Sequence, residues 1–294
     1  MNHYSPKICA IIVSWNPSPS DVMRCVENLA PQVDKIIYSD NGSKKETLKL
    51  LEGLKTKNPK IECIWNGENL GIATALNRGV AQAKAEGADW VLTLDHDSVP
   101  EKDMVKKMFA AYADLPEKEK IAILCPNFML AKGIAYSDLA PRFIETSITS
   151  GQLVKMDLFD KIGGYEDKLF IECVDHEFCF HALFQGYKTL LIPGAILKQR
   201  IGNPSVKKIL GKTFIVPHYS PERYYYQLRN TVFIYKKYYR VVPRWILRDA
   251  PHVLYSLIKV VLYEKNPARK IGLAMLGIFD GLRGKLGKRG APKK

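Results

Sequence analysis

Asp95 and Asp97 flank a single histidine in Leu94-Asp95-His96-Asp97-Ser98, directly after the apolar run Trp90 to Leu94. Two carboxylates at i and i+2 leaving a buried strand can share one hard divalent cation, and such a cation stabilises the charge that builds on a departing diphosphate. The same spacing also occurs in acidic turns, and Asp97 with Ser98 before Pro100 could instead cap a helix. A second group of carboxylates lies at Glu172, Asp175 and Glu177. A hydroxyl that attacks an electrophilic carbon has to lose its proton, and a neighbouring carboxylate can take it. Any of the three could serve, although Glu177 also suits the first turn of a helix, whose dipole favours an anion. Asp40-Asn41-Gly42-Ser43 reads as a strand-ending turn, and Gly71 as a position where backbone can approach a ligand closely.

These residues need a scaffold that brings them to one edge. Short apolar, β-rich runs at Ile8 to Trp15, Lys35 to Ser39, Ile61 to Trp65, Trp90 to Leu94 and Ile121 to Leu124 read as strands. Helical patterns at Ser20 to Ala30, Lys44 to Lys57, Ile72 to Glu86 and Lys102 to Tyr112 fill the gaps between them. Strand and helix in alternation predict an α/β fold with a mainly parallel, doubly wound sheet. Ligands of such sheets lie beyond the carboxyl ends of the strands. Asn16, Asp40, Asn69 and the Asp95 to Asp97 cluster each follow a predicted strand. After about Pro217 the texture changes to long amphipathic helices over Glu222 to Tyr239, Pro243 to Tyr263 and Pro267 to Leu286. The expected division is a catalytic domain over 1–216, with halves of about 1–98 and 99–216, followed by a basic helical region over 217–294.

The ordered set of segments resembles the family-two glycosyltransferases of the GT-A fold, and most closely the bacterial rhamnosyltransferases among them. The matching segments are Ile11 to Pro17, Ser39 to Ser43, Asn69 to Ala73 with Asn77 to Gly79, Leu94 to Ser98, Ser150-Gly151, Gly163 to Tyr165 and Phe170 to Glu177. The run His218 to Tyr226 with Arg229-Asn230 extends the likeness, which covers about four fifths of the chain. The resemblance implies an inverting transfer of a sugar from a nucleotide donor, with Mg²⁺ or Mn²⁺ as cofactor. It implies that Asp97 ligates the metal, that Asp95 contacts the metal or the ribose, and that Asp40 binds the nucleoside base. Asn69 and Gly71 would line the nucleotide pocket, with Asn16, Gly151 and Arg223 as further donor-binding positions. Asp175 matches the family's catalytic base. Val174 stands where many members carry a glutamate, and Gln199 where the rhamnosyltransferase pattern usually has a histidine. The implied donor is dTDP-rhamnose, with a UDP-hexose as the alternative. The implied acceptor is a glycan or polyprenyl-linked oligosaccharide of O-antigen or capsule synthesis.

Composition narrows the other classes. A chain of 294 residues, 47% of them apolar, is expected to fold around a sizeable core. The loop Trp15 to Pro19 lacks the Gly-rich, basic character of nucleotidylyltransferases, which share this sheet. The six cysteines are scattered without metal-like pairing and read as reduced thiols. The N-terminal segment offers no signal or transit pattern, so a cytoplasmic location is expected. Much of the net charge of +14 lies after Lys198, including Lys285, Lys288 and Arg289. No nucleic-acid motif accompanies that charge, whereas basic amphipathic helices suit an anionic membrane surface. The expected placement is peripheral, on the inner face of the cell membrane. A helical subdomain packed on the catalytic domain is the competing reading of that segment, and a membrane-surface binder without activity on this fold is the competing reading of the whole chain.

Overall fold

Apolar runs such as that from Ile8 require cover on both faces of a strand, and the computed structural model supplies it. It describes residues 6–113, 115–130, 133–134, 136, 140–199, 205–209, 212–216 and 218–290. In chain order the elements are β1 (Ile8–Ser14), α1 (Pro19–Leu29), β2 (Lys35–Asp40), α2 (Lys45–Lys57), β3 (Ile61–Trp65), α3 (Ile72–Ala85), β4 (Trp90–Asp95), β5 (Val99–Pro100), α4 (Met104–Ala113) and β6 (Ile121–Leu130). There follow β7 (Gly133–Ile134), β8 (Arg142–Ile144), β9 (Leu153–Lys155), α5 (Met156–Ile162), α6 (Val174–Phe184) and β10 (Lys188–Lys198). The hairpin β11 (Ser205–Ile209) and β12 (Lys212–Val216) precedes α7 (Pro221–Tyr238), α8 (Pro243–Tyr263) and α9 (Pro267–Leu282).

Side chains alternate across β1, so Ile8, Ala10 and Ile12 join one core while Cys9 and Ile11 join the other. The first core is closed by Val22 and Leu29 of α1, Leu51 of α2 and Met104 of α4. The second is closed by Leu76 of α3, Phe159 of α5 and Phe178 of α6. Helix starts are chemically specified: Ser18 caps α1 by accepting from the Asp21 N–H, and Ser220 caps α7 by accepting from Arg223 N–H, each with proline following.

The sheet runs β3-β2-β1-β4-β9-β6-β10-β5. Its first four strands are mutually parallel, as are β6 and β10, but β9 lies antiparallel between β4 and β6. The sheet is thus mixed rather than a plain doubly wound one. The chain leaves β8, turns at Ser150-Gly151 and enters the centre of the sheet in reverse. A further departure is β10, absent from the predicted strands because Pro193 and Gly194 interrupt its apolar run; the register slips there between Ile192 and Ile196.

The C-terminal helices start where expected and pack on the body. α9 lies against α7 at backbone distance. A Cβ on Gly277 would fall 2.3 Å from the Tyr225 carbonyl oxygen, and one on Gly281 would fall 2.6 Å from that of Arg229. Among the described residues no helix is long and apolar enough to cross a membrane.

Candidate active site

Strand register brings the first set of residues to one edge. Ser14 pairs with Asp40, Asp40 with Trp65, and Val13 with Asp95, so the chain exits four neighbouring strands side by side. Asp40 is buried, and its carboxylate accepts from Ser14 Oγ (3.1 Å) and from the N–H groups of Gly42 (3.2 Å) and Ser43 (2.9 Å). It holds the turn from beneath, while the next residue, Asn41, reaches the cavity wall. Asn41 Nδ2 donates to Asn69 Oδ1 (3.1 Å) and to the Gly71 carbonyl (3.3 Å), and its Oδ1 accepts from Leu70 N–H (2.9 Å). Asn16 ties the first loop to the same turn by accepting from Lys44 N–H at 2.8 Å. Gly71, at φ +90°, opens α3; a Cβ there would lie 2.6 Å from the Phe170 carbonyl oxygen. The result is a cavity of about 200 Å³ lined by Trp15, Asn41, Asn69, Gly71, Asp95, His96, Asp97 and Phe170, among others.

A second cavity, of about 290 Å³, adjoins it, and Asp95, Ile72 and Ile171 line both. Its wall includes Ser150, Glu172, Asp175 and Gln199 from the sheet half, with Arg223, Tyr235, Trp245 and Asp249 from α7 and α8. Asp95 sits at the junction. Its N–H donates to Ser150 Oγ (3.1 Å), and its Oδ2 accepts from Gln199 Nε2 (3.3 Å). Burial raises its carboxyl to about 6, with the Asp97 carboxylate adding to the rise and His96 and the Gln199 bond opposing it. Two neighbouring carboxylates, one of them reluctant to ionise, form an oxygen donor set that a divalent cation would relieve. Among the described residues no three His, Cys, Asp or Glu side chains are grouped so that they could hold a metal ion by themselves. This pair would therefore need further oxygen ligands from a substrate. Gly151 lies off the wall, its N–H on the Thr93 carbonyl (2.6 Å) and its missing Cβ leaving room for Pro126.

The loop before α6 departs from ordinary backbone. Phe170, Glu172 and Cys173 have φ of 67°, 69° and 59°, a region L residues seldom occupy. Side chains from α7 hold it. Asn230 Nδ2 lies 3.0, 2.7 and 2.9 Å from the carbonyl oxygens of Leu169, Ile171 and Glu172, and the fully buried Arg229 donates to Leu169 O (2.9 Å) and to Gly287 O (2.5 Å). The three candidate carboxylates stand in different surroundings. Glu177 is buried and accepts from Lys237 Nζ and Tyr238 OH, both at 2.7 Å. Glu172 pairs with Arg223, and burial raises its carboxyl despite that cation. Asp175 reaches the cavity, with Oδ1 accepting from the His176 N–H at 2.8 Å.

Residues 9–124 match the family model described as glycosyl transferase family 2. Over that segment the chain is similar to family-two glycosyltransferases. It is 29% identical over 299 residues to the dTDP-rhamnosyl transferase RfbF of Shigella flexneri, an overlap covering 94% of this chain and 96% of that protein. Its fold is that of GT-A transferases. The structure of GalNAc-T7 with UDP, GalNAc and Mn²⁺ superposes with a TM-score of 0.64 at 16% identity, covering 86% of this chain; the chain spans 52% of that one. S. aureus TarS, in its 1–349 form, superposes with a TM-score of 0.53 at 15% identity, covering 95% of this chain and 72% of that one.

Sequence reasoning named the strand-end carboxylates and the Asp175 segment but gave Asn41, Trp15 and Phe170 no individual role. On α7 the cavity residues Arg223, Gln227, Thr231 and Tyr235 recur every four positions, a polar ladder that helical periodicity could have exposed. Trp245 and Asp249 carry no comparable signal.

Proposed function

We propose that this transferase moves rhamnose from dTDP-rhamnose, with inversion, onto a hydroxyl of a lipid-linked glycan in cell-surface polysaccharide synthesis. One observation carries the reading: Asp95 joins two cavities, one bearing Asn69, Gly71 and Asp97, the other bearing Asp175. The first suits a nucleotide, the second an acceptor, and the sugar would lie between them. The near full-length similarity to RfbF supports the donor.

Asp97, with Asp95, would hold Mg²⁺ or Mn²⁺, which when bound neutralises charge developing on the diphosphate. Asn69 and Gly71 would line the nucleoside side. Asn16 and Asp40 would support it through the turn they brace, with Asp40 reaching the base only if that turn shifts. Gly151 would keep Ser150 against Asp95, and Arg223 would face the donor from α7. Asp175 takes the acceptor hydroxyl's proton as the oxygen attacks the anomeric carbon from the side opposite the leaving group. A single displacement inverts configuration and needs no covalent sugar-enzyme intermediate.

Residues 1–216 are assigned as the catalytic domain and 217–294 as a helical region serving the acceptor side. An anionic membrane on its cytoplasmic side is the proposed partner of that region. Leu247, Leu254, Ile258, Val261 and Leu262 of α8 and Met275, Phe279 and Leu282 of α9 are exposed, far more apolar surface than isolated residues present. Lys259, Lys265 and Arg283 accompany them. Of the tail cations, Lys288 Nζ donates to Glu68 (3.1 Å) and to the Asn69 carbonyl (3.0 Å), which ties the tail to the nucleotide side, while Lys285 pairs with Asp280 (3.5 Å) and Arg289 lies over the Tyr225 ring (5.3 Å).

The test is incubation with dTDP-rhamnose, UDP-glucose and UDP-galactose in Mn²⁺ or Mg²⁺, following nucleotide release and the product's anomeric configuration by NMR. Release of dTDP with an inverted product is expected. Turnover of the UDP-hexoses alone, or a retained configuration, overturns the assignment.

A further inference from the structure

The family model ends at residue 124, yet much of the second cavity is built by residues beyond it, including side chains from α7 and α8. Trp245 and Asp249 lie one turn apart on the inward face of α8, facing Gln227, Thr231 and Tyr235 of α7. Asp249 is oriented by Tyr235, whose hydroxyl donates to Oδ2 at 2.8 Å; Oδ1 has no donor among the described residues. Trp245 is fixed by edge contact with Phe180 (4.9 Å, 69°) and by His176 at 5.0 Å. His176 follows Asp175 directly, and Trp245 and Asp175 line the same cavity.

The chemistry of this wall is selective. It offers a carboxylate oxygen, an amide, a hydroxyl and an aromatic ring. Asp249, Glu172 and Asp175 all face the same space, and the cation among its lining residues, Arg223, is paired with Glu172. An anionic ligand would meet uncompensated negative charge, whereas vicinal hydroxyls can donate to Asp249 and a sugar ring can lie on the indole. The cavity stands near the lower end of small-molecule pockets, roughly 300 to 1,000 Å³, which suits a terminal sugar and not a long glycan.

We propose that Trp245 and Asp249 form a subsite for an uncharged terminal sugar of the acceptor, an inference that rests on the transfer reading above. One helix then does two things: its inward face selects the acceptor sugar, and its outward apolar face meets the surface on which that acceptor is carried.

The experiment is saturation-transfer NMR on the full chain in the presence of dTDP, with the octyl glycosides of glucose, galactose, N-acetylglucosamine and rhamnose as probes and octyl glucuronide as the anionic comparison. At least one neutral glycoside is expected to bind, and the glucuronide to bind more weakly. Asp249→Asn retains an oxygen for Tyr235 and should weaken neutral-glycoside binding about tenfold or more, as expected for a lost charge-assisted hydrogen bond. Trp245→Ala should weaken it as well. Protection by dTDP against thermal unfolding reports both that the variants fold and that the donor side is intact. Neutral-glycoside binding that survives both substitutions, stronger binding of the glucuronide, or no glycoside binding at all overturns the subsite. Failure of dTDP to protect the wild type instead sinks the donor reading.

Discussion

The two halves of the cleft are built by different means. On the side of the smaller cavity, β1 to β4 end in register, and neighbouring strand ends and turns brace one another, as Ser14, Gly42 and Ser43 brace Asp40. On the side of the larger cavity, the loop that leads into α6 and Asp175 holds three non-glycine residues at positive φ, fixed by Arg229 and Asn230 some sixty positions away. Local register suffices where the ligand is met by strand ends. In the loop before α6, unfavourable backbone persists because distant donors satisfy its carbonyls.

The sharpest test of this contrast is Asp175→Asn, expected to lose transfer by about 10² to 10⁴-fold, the contribution of a positioned base, while dTDP still protects against unfolding. If that variant turns over normally and Glu172→Gln is dead, the base has been misassigned. Asp97→Asn strikes the other half and should lose metal-stimulated transfer by about 10² to 10³-fold, the scale of a lost electrostatic stabiliser. Full activity in that variant, or in excess chelator, removes the metal from the mechanism.

Asn230→Leu keeps the volume of the clamp but removes its donors, leaving buried carbonyls unpaired at about 1 to 3 kcal/mol each. A fall in kcat with the donor KM unchanged is expected from steady-state kinetics, and Asn230→Gln should recover part of it. A uniform loss of thermal stability with unaltered kcat would reduce Asn230 to a packing residue.

The pH response should separate the halves further. The Asp95 carboxyl ionises near 3.9 in the unfolded chain and at about 6 in the folded one, so its stabilising contribution is complete below about 4 and is lost as pH rises through about 6. Without divalent metal, the melting temperature of wild type relative to Asp95→Asn should fall from pH 4 to pH 7, and Mn²⁺ at pH 7 should raise the wild type alone. A flat difference across that range would place Asp95 in ordinary solvent. The smallest expected effect is at the surface: reversing Lys259, Lys265 and Arg283 should weaken binding to anionic vesicles by up to about 1 kcal/mol per charge, less as salt rises. Sedimentation with vesicles that ignores both charge and salt would leave α8 and α9 with a purely internal role.

The sequence alone determined the α/β architecture, the strands β1 to β4 and the carboxylates at their ends, because period-two burial, helix caps and turn residues act over a few neighbouring positions. It also marked the segment around Asp175 and the start of α8 and α9. The insertion of β9 against its neighbours, the pairing of Glu172 with Arg223 and of Glu177 with Lys237 and Tyr238, and the arrival of Trp245 and Asp249 at the cleft were decided only by tertiary structure. Each depends on contacts between segments far apart in the chain, whose pairing leaves no local period to read. Even Gly277 and Gly281, plain helical glycines in sequence, acquire their meaning only when α9 comes within backbone distance of α7.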